Sequence, residues 1–215
     1  MADLRVNLFG KQLAGPVIAA SGTFGFGPEY AGIEDLRVLG GISGKGLTLN
    51  GQPGNDGERL LETPSGLMNS IGLQNPGVQH FIENELPAMK TCGTSVWVNL
   101  GGHTIEENVE GVQKLCAAGI DVLELNISCP NVKQGGLAFG LRAKDADDAM
   151  RIAEACIEGG CAGIELTYTT PGVNAIIEKM AREYDGTDFV IGAGTVMDPE
   201  TARMAILSGA QYVVS

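Results

Sequence analysis

Polar residues follow several short apolar runs of this sequence. Ser21, Lys45, Asn99 and Asn126 each stand at or just after the end of such a run, and Cys129 comes soon after Asn126. Uncharged amides suit a planar ligand with many hydrogen-bonding groups, and a lysine suits negative charge that develops on such a ligand. A cysteine thiolate on the same loop is able to accept a proton near neutral pH. These residue types together favour an enzyme that acts on a planar, hydrogen-bond-rich compound.

Each of these residues also has a structural explanation when it is taken alone. Ser21 could end a strand, Lys45 could be a solvated charge, and an asparagine side chain commonly mimics a turn. A free cysteine is more often a buried small apolar residue than a reactive one. The functional interpretation is favoured because all five positions fall at the same end of predicted parallel strands, where barrel enzymes hold their active sites.

Two glycine-containing segments accompany these residues. The segment Ser21–Gly27 is dense in glycine, which lets the backbone approach a ligand closely. The longer segment Thr63–Gly77 contains two asparagines and three glycines and is too irregular to be a core element. Long loops inside compact domains are usually functional, so this segment is predicted to contribute to the site.

The elements that position these residues alternate along the chain. Short β-branched runs separate helix-length amphipathic segments, which is typical of a parallel α/β protein. The predicted strands are Pro16–Ser21, Gly40–Gly46, Val96–Gly101, Asp121–Ile127, Ala162–Thr169, Phe189–Gly194 and Gln211–Ser215. The predicted helices are Thr104–Ala118, Asp145–Glu158, Val173–Tyr184 and Asp198–Leu207. Nearly continuous apolar strands of this kind are covered by helices on both faces.

Three helices end in a glycine that leads directly into a strand, at Gly119, Gly160 and Gly209. Glycine readily adopts the left-handed conformation that a short helix-to-strand loop requires. Repeated units of this kind favour a (β/α)-barrel of the TIM type over an open sheet. The seven predicted strands are one fewer than in a closed barrel of this type. We therefore predict a single α/β barrel domain over residues 1–215, either complete or lacking one strand.

The composition argues against several classes of protein. The 215 residues include 14 Lys and Arg against 26 Asp and Glu, a net charge of −12, whereas nucleic-acid binding needs clustered basic residues. No apolar run approaches the roughly 18 residues of a membrane-spanning helix, and the N-terminus lacks a secretory signal, so a cytoplasmic location is expected. Five cysteines without a C-x-x-C pair and only two histidines argue against a metal site or a disulfide framework.

Three longer motifs make the first two thirds of the chain recognisable. They are Ala20-Ser-Gly-Thr-Phe-Gly-Phe-Gly27, Glu62-Thr-Pro-Ser-Gly-Leu-Met-Asn-Ser-Ile-Gly-Leu-Gln-Asn-Pro-Gly77 and Glu124-Leu-Asn-Ile-Ser-Cys-Pro-Asn-Val-Lys-Gln-Gly-Gly136. With these motifs, the chain from Leu4 to about Gly140 resembles dihydroorotate dehydrogenase, specifically the catalytic subunit of its soluble, NAD-linked type. The resemblance implies an FMN-dependent oxidation of dihydroorotate to orotate in pyrimidine biosynthesis. It also implies a partner subunit that carries FAD and an iron–sulfur cluster.

The same resemblance implies roles for individual residues. The implied FMN contacts are Ser21, Lys45, Gly46, Asn99 and Asn126. The implied substrate contacts are Lys45, Asn69, Ser70, Ile71, Gly72, Leu73 and Asn126. Cys129 would be the catalytic base, which removes a proton next to a carbonyl group while a hydride passes from the neighbouring carbon to the flavin.

The remainder of the chain has a different resemblance. Residues 142–215 resemble the first part of a 2-keto-3-deoxy-6-phosphogluconate aldolase, another (β/α)-barrel, through Gly163-Ile-Glu-Leu-Thr-Tyr-Thr-Thr-Pro171 and Ile191-Gly-Ala-Gly-Thr-Val196. In that family the glutamate that matches Glu165 assists proton transfer. Its Schiff-base lysine has no counterpart here, because no lysine follows Lys179. We therefore predict a dihydroorotate dehydrogenase-like part, residues 1–140, and an aldolase-like part, residues 141–215.

Two alternatives to the oxidoreductase stay open from the sequence. One is an aldolase-like lyase, and the other is an inactive hybrid half-barrel that folds poorly or only as an oligomer. A missing strand would leave an unpaired sheet edge, so a homo-oligomer is expected. Bound flavin would favour the oxidoreductase, pyruvate trapped by borohydride would favour the lyase, and colourless aggregated protein would favour the hybrid.

Overall fold

The structure is a computed structural model that describes residues 3–126 and 146–214. The chain divides into two compact units. The first consists of Met1–Leu8 and Gln12–Gly140, and the second consists of Phe9–Lys11 and Leu141–Ser215. The predicted base, Cys129, lies outside the described residues.

Eight strands and four helical segments precede residue 127. The strands are β1 (Val6–Leu8), β2 (Lys11–Leu13), β3 (Ile18–Ala19), β4 (Gly41–Ser43), β5 (Leu60–Thr63), β6 (Gly66–Asn69), β7 (Val96–Leu100) and β8 (Val122–Leu125). The helical segments are α1 (Val78–His80), a π-helical segment (Phe81–Glu85), α2 (Leu86–Thr91) and α3 (Ile105–Ala117). Two short 3-10 turns, Pro28–Tyr30 and Leu36–Val38, lie between β3 and β4.

A four-stranded parallel sheet in the order β3-β4-β7-β8 organises the first unit. These are the first four strands that the apolar runs predict, so this part of the prediction is confirmed. The register places Ser43 beside Trp97 and Asn99 beside Glu124. Parallel pairing brings the carboxyl ends of all four strands to one edge, which is where the predicted site residues follow.

The two faces of this sheet differ in character because side chains alternate along a strand. Ile42, Val98 and Leu100 are fully buried in an apolar core with Phe81 and Leu115 of the covering helical segments. The intervening positions of the same strands lie on the opposite face and include Ser43, Asn99 and Glu124. The core therefore fixes the strands from one side, and the other side carries the polar groups.

The predicted loop Thr63–Gly77 is more ordered than expected. Its first part belongs to an antiparallel hairpin in which β5 pairs with β6, from Leu60 opposite Asn69 to Thr63 opposite Gly66. All residues of the two strands except Thr63 are exposed, so the hairpin is not a core element, as the sequence predicts. The interpretation of the whole segment as irregular is wrong for residues 63–69.

The second unit contains a three-stranded parallel sheet and three helices. The strands are β9 (Gly163–Thr167), β10 (Val190–Gly194) and β11 (Tyr212–Val213), and the helices are α4 (Ala146–Glu158), α5 (Val173–Glu183) and α6 (Pro199–Leu207). The strands pair in the order β11-β10-β9, and Ile177, Met180 and Ile191 are buried in their own apolar core. These three strands are also at the positions that the sequence predicts.

The glycine signals at the helix ends are confirmed. Gly119, Gly160 and Gly209 have φ values of 72°, 81° and 106°, the left-handed region in which side-chain-bearing residues are strained. After α4, the N–H of Cys161 donates to the carbonyl of Cys156 at 2.8 Å, and the N–H of Gly160 donates to Ile157 at 2.9 Å. This pair of bonds is the Schellman arrangement, which ends the helix and directs the chain into β9.

The described strands form these two parallel sheets, the two-stranded sheet β1-β2 and the hairpin β5-β6. The α/β class with parallel sheets is therefore confirmed, and closure into a barrel stays a prediction. Over residues 3–126 and 146–214, no helix combines the length and the apolar character needed to cross a membrane.

Candidate functional site

The loop after β3 is attached to the end of β4 by Ser21. The Ser21 hydroxyl donates a hydrogen bond to the carbonyl of Gly44 at 2.8 Å. The next residue, Gly22, has a φ of 83°, which a side-chain-bearing residue would adopt only with strain. The glycine-rich loop therefore starts at a fixed position beside the second strand of the sheet.

Lys45 lies at the same edge, two residues beyond β4. A Cβ atom built on Gly22 would lie 3.9 Å from the Lys45 ammonium, so the lysine extends toward the start of the glycine-rich loop. Lys45 is half-buried and forms no ion pair with any residue that the structure describes. The role of Lys45 in binding a ligand stays a prediction.

The amides of Asn99 and Asn126 meet beside the backbone of Gly46. The Asn126 amide nitrogen lies 3.5 Å from Oδ1 of Asn99. A Cβ atom at Gly46 would lie 3.0 Å from the same oxygen and 3.4 Å from Cδ1 of Leu73. A side chain here would require the amide or the leucine to shift by a few tenths of an ångström. The structure thus places all five predicted FMN contacts, Ser21, Lys45, Gly46, Asn99 and Asn126, at the carboxyl end of the sheet.

A carboxyl group that the sequence analysis did not single out supports these amides. Glu124 is half-buried on β8 and accepts hydrogen bonds from the Ser43 hydroxyl and from the side chain of Asn99. Burial raises the pKa of Glu124, and the two hydrogen bonds oppose that rise. The signal in the sequence is a charged residue inside an apolar strand, but its partners depend on register across three strands.

Beyond Asn69, the last residue of β6, the segment to Leu73 is held by hydrogen bonds from neighbouring residues. The Gln52 amide donates to the carbonyl of Gly72 at 3.0 Å, and the Asn55 amide donates to the carbonyl of Ser70 at 3.1 Å. Leu73 has a φ of 55°, an uncommon conformation for a residue with a side chain. Because Leu73 also approaches Gly46, the end of this segment reaches the cluster of strand-end residues.

Asn75 fixes the chain just beyond that segment. It is buried, accepts hydrogen bonds from the N–H groups of Thr48 and Gly77 at 3.0 Å each, and donates to the carbonyl of Leu73 at 2.8 Å. These bonds satisfy the backbone around the strained leucine, which a buried polar network must do to be stable. Asn75 and Gln52 are therefore structural supports that sequence reasoning missed.

Asn69 and Ile71, two further predicted substrate residues, have no side-chain hydrogen bond to the cluster among the described residues. Asn69 is exposed at the end of β6, and the carbonyl of Ile71 accepts from the N–H of Asn55 at 3.1 Å. A cleft of about 590 Å³ lies beside Gln52, Asn75 and Phe26, but no predicted site residue lines it. Its lining includes neither Lys45 nor the amides of Asn99 and Asn126, so it is not the cluster at the carboxyl end of the sheet.

In the second unit, the carboxyl group of Glu165 lies close to the backbone of Gly194. Glu165 on β9 packs against Gly194 on β10, and a Cβ atom at Gly194 would overlap its carboxylate. Lys179, the last lysine of the sequence, lies on α5 and forms an ion pair with Asp147 at 2.7 Å. Its ammonium is thus held by a carboxylate on a helix rather than presented from a strand end.

Comparison with known protein families gives two matches. A family described as dihydroorotate dehydrogenase matches residues 3–158, and a family described as KDPG and KHG aldolase matches residues 130–215. The first match continues beyond Gly140, and the two matches overlap.

Two curated relatives carry the same description, "Dihydroorotate dehydrogenase B (NAD(+)), catalytic subunit". The protein from Petrotoga mobilis is 40% identical over 95% of this chain and 75% of its own length. The protein from Thermoanaerobacter pseudethanolicus is 51% identical over 66% of this chain and 47% of its own length. The chain therefore spans between about half and three quarters of these relatives.

A solved structure described as DHODH in complex with ferulenol, from Eimeria tenella, has a similar fold. The TM-score is 0.70 at 17% sequence identity, over 99% of this chain and 78% of that one. At this identity the likeness concerns the fold alone.

Proposed function

Because the chain belongs to the dihydroorotate dehydrogenase family, we propose that it binds FMN and oxidises dihydroorotate to orotate. The observation that carries the proposal is the cluster at the carboxyl end of the four-stranded sheet. There the Ser21 hydroxyl bonds the Gly44 carbonyl, Lys45 forms no ion pair among the described residues, and the amides of Asn99 and Asn126 meet beside Gly46. The family itself implies a flavin, and the residues of this cluster are compatible with one.

The fit to a flavin rests on chemistry and on space. A flavin ring is planar and carries donors and acceptors at its edge, which the Asn99 and Asn126 amides and the Ser21 loop are able to match. Gly46 keeps the backbone beside Asn99 free of a side chain, since even a methyl group would come within 3.0 Å of the amide oxygen. Lys45 supplies the positive charge that an electron-rich ring requires.

In the proposed reaction the flavin accepts a hydride, and residues of the chain accept a proton and bind the substrate. The bound flavin supplies the acceptor for a hydride that leaves one carbon of dihydroorotate. Cys129 accepts the proton that leaves the neighbouring carbon, and the electron pair of that C–H bond forms the new carbon–carbon double bond. Lys45 stabilises negative charge during the transfer, and the segment Asn69–Leu73 together with Asn126 orients the substrate.

The wider assignment follows from the same family. We propose that electrons leave through a separate subunit that carries FAD and an iron–sulfur cluster and uses NAD. We also propose that the protein acts in the cytoplasm as a homo-oligomer. The proposed fold is a (β/α)-barrel of the TIM type, which the parallel pairing within each unit supports.

The test of the base uses a cysteine variant in the full chain. Cys129→Ala is expected to retain bound FMN and to lose dihydroorotate oxidation by at least about a hundredfold, because the proton acceptor is missing. Cys116→Ala is the matched control, since Cys116 is exposed on α3 and is expected to leave turnover unchanged. Equal turnover in wild type and Cys129→Ala would overturn the assignment of the base.

A second candidate function is an aldolase-like lyase, which the family match to residues 130–215 favours. Class I aldolase chemistry needs a lysine that forms a Schiff base, and no lysine follows Lys179 in this chain. Incubation with pyruvate and borohydride is therefore expected to give no covalent adduct by mass spectrometry. An adduct on any lysine would favour the lyase.

A further inference from the structure

Glu124 is an acidic residue within a sheet whose other face is an apolar core. It pairs in register with Asn99 of the neighbouring strand, so both side chains lie on the same face of the sheet. Ser43, on the strand beyond, is fully buried and reaches the same carboxyl group. A carboxyl group at such a position costs free energy unless its hydrogen bonds offset the loss of water.

The hydrogen bonds of Glu124 restrict the orientation of Asn99. Oδ1 of Asn99 faces Gly46 and lies 3.5 Å from the amide nitrogen of Asn126. The other end of the amide, the nitrogen Nδ2, is therefore the donor that faces the carboxyl group of Glu124, the register partner of Asn99. A reversed amide would place two nitrogen donors against each other at Asn126 and would offer no donor to Glu124.

We propose that Glu124 is a positioning residue for the flavin site, which acts by fixing the Asn99 amide with its oxygen directed toward Gly46 and Asn126. The proposal rests on the proposed function in one respect, namely that the Asn99 amide contacts the flavin. Held in this way, Asn99 presents an acceptor, so the ligand atom that it contacts must carry a hydrogen. A preorganised acceptor avoids the cost of turning the amide when the ligand binds.

The groups that face Glu124 are neutral in the part of the chain that the structure describes. Strand β4 contributes the Ser43 hydroxyl, β7 contributes Asn99, and Asn126 follows on the same strand as Glu124. The nearest titratable side chain along β4 on this face is Lys45. Burial, rather than a charge on any of the described residues, raises the pKa of Glu124.

Two variants of Glu124 separate positioning from a general effect on folding. In Glu124→Gln, the amide oxygen accepts from Asn99 and the amide nitrogen donates to Ser43, so FMN affinity is expected to stay within about threefold of wild type. In Glu124→Leu, Asn99 loses its acceptor, and FMN affinity is expected to fall about tenfold or more. Both variants keep the volume of the side chain, and circular dichroism checks that they fold.

A double-mutant cycle tests whether Glu124 acts through Asn99. Asn99→Ala alone is expected to weaken FMN binding, and adding Glu124→Leu to it is expected to weaken binding no further. Independent, additive losses in the double variant would contradict the proposal. Wild-type affinity in Glu124→Leu would contradict it as well.

A measurement without flavin keeps this inference separate from the proposed function. In ligand-free protein labelled with ¹⁵N, the Asn99 side-chain amide signals are identified by their loss in Asn99→Ala. These signals are expected to shift as pH rises through the Glu124 pKa, above the usual range of a glutamic acid, and to stay constant in Glu124→Gln.

The two outcomes are distinguishable. Titrating Asn99 signals in a protein that binds no FMN would support the positioning role and overturn the flavin site. FMN binding by a protein whose Asn99 signals do not respond to pH would leave the flavin site intact and overturn the positioning role.

Discussion

Asn99 on β7 lies between two neighbouring strands, β4 and β8, that bring partners to it. Its amide contacts Glu124 on the neighbouring strand, its oxygen faces Gly46 after β4, and Asn126 approaches from the end of β8. Each contact depends on parallel register, because a shift by one residue would turn the side chain to the apolar face. The chemistry of the site is thus fixed by which residues are opposite one another across the strands.

Gly46→Ala tests the close packing at this amide. The added methyl group would lie 3.0 Å from Asn99 Oδ1 and 3.4 Å from Leu73 Cδ1, so one of them must move. FMN affinity is expected to fall about tenfold, measured by titration of the apoprotein with FMN. Gly32→Ala is the control, since no atom lies within 4 Å of the added methyl group. An equal effect of both variants would argue against a site at Gly46.

The sequence indicates Asn99, Asn126 and Lys45 because they follow apolar runs, but it does not indicate Glu124 or Ser43. The first three are visible as polar residues at predicted strand ends. The role of Glu124 appears only when β4, β7 and β8 are aligned, since its partners are 81 residues away at Ser43 and on the neighbouring strand at Asn99. Local patterns contain no information on that alignment.

At the scale of elements, the hairpin β5-β6 and the segment after it carry five of the seven predicted substrate residues, Asn69 to Leu73. Gln52 supports this segment from outside by donating to the Gly72 carbonyl, while its other amide atom, Oε1, is buried without a hydrogen-bond partner among the described residues. The Gln52 side chain thus links the chain before the hairpin to Gly72 in the predicted substrate segment.

Gln52→Ala is expected to loosen this segment without changing the flavin site. The KM for dihydroorotate is expected to rise about threefold to tenfold, the range that follows from losing one hydrogen bond, with FMN affinity unchanged. Steady-state kinetics with FMN-loaded protein measures this. Gln79→Ala is the control, because Gln79 is exposed on α1 and bonds only the exposed Glu83. A similar KM change in both variants would contradict the role of Gln52.

The elements that sequence patterns missed lack the signals on which prediction depends. In β5, Leu60 and Leu61 are adjacent and both exposed, so the strand shows no alternation of buried and exposed residues. The helical stretch from Val78 to Thr91 contains Pro87 and a π-helical segment, which interrupt the usual period. Strands β3, β4, β7 and β8 were predictable because they lie in nearly continuous apolar runs of the sequence, although only β4 and β7 are largely buried.

At the scale of the whole molecule, the chain consists of two units that each have their own core. Met180 is fully buried in the core of the second unit, with Ile177 and Ile191. The assignment of residues 1–140 and 141–215 to parts that resemble different families stays a prediction. The family match to residues 3–158 means that the likeness to dihydroorotate dehydrogenase reaches into the second unit.

Met180→Ala tests the contribution of that core. Removing the buried side chain is expected to lower the free energy of unfolding by about 2–5 kcal/mol, measured by urea denaturation of the full chain. Met204→Ala is the control on a helix of the same unit, because Met204 is 51% exposed and its loss is expected to cost less than about 0.5 kcal/mol. Equal, small effects would mean that the second unit is not packed as a core.

The central claim is that the first unit holds a flavin where dihydroorotate is able to reduce it. The most direct measurement mixes the FMN-loaded full chain with dihydroorotate without oxygen and follows the visible absorbance of the flavin. We predict stoichiometric bleaching and formation of orotate in wild type, with bleaching lost in Cys129→Ala. A protein that binds FMN but whose absorbance stays unchanged on addition of dihydroorotate would contradict the account.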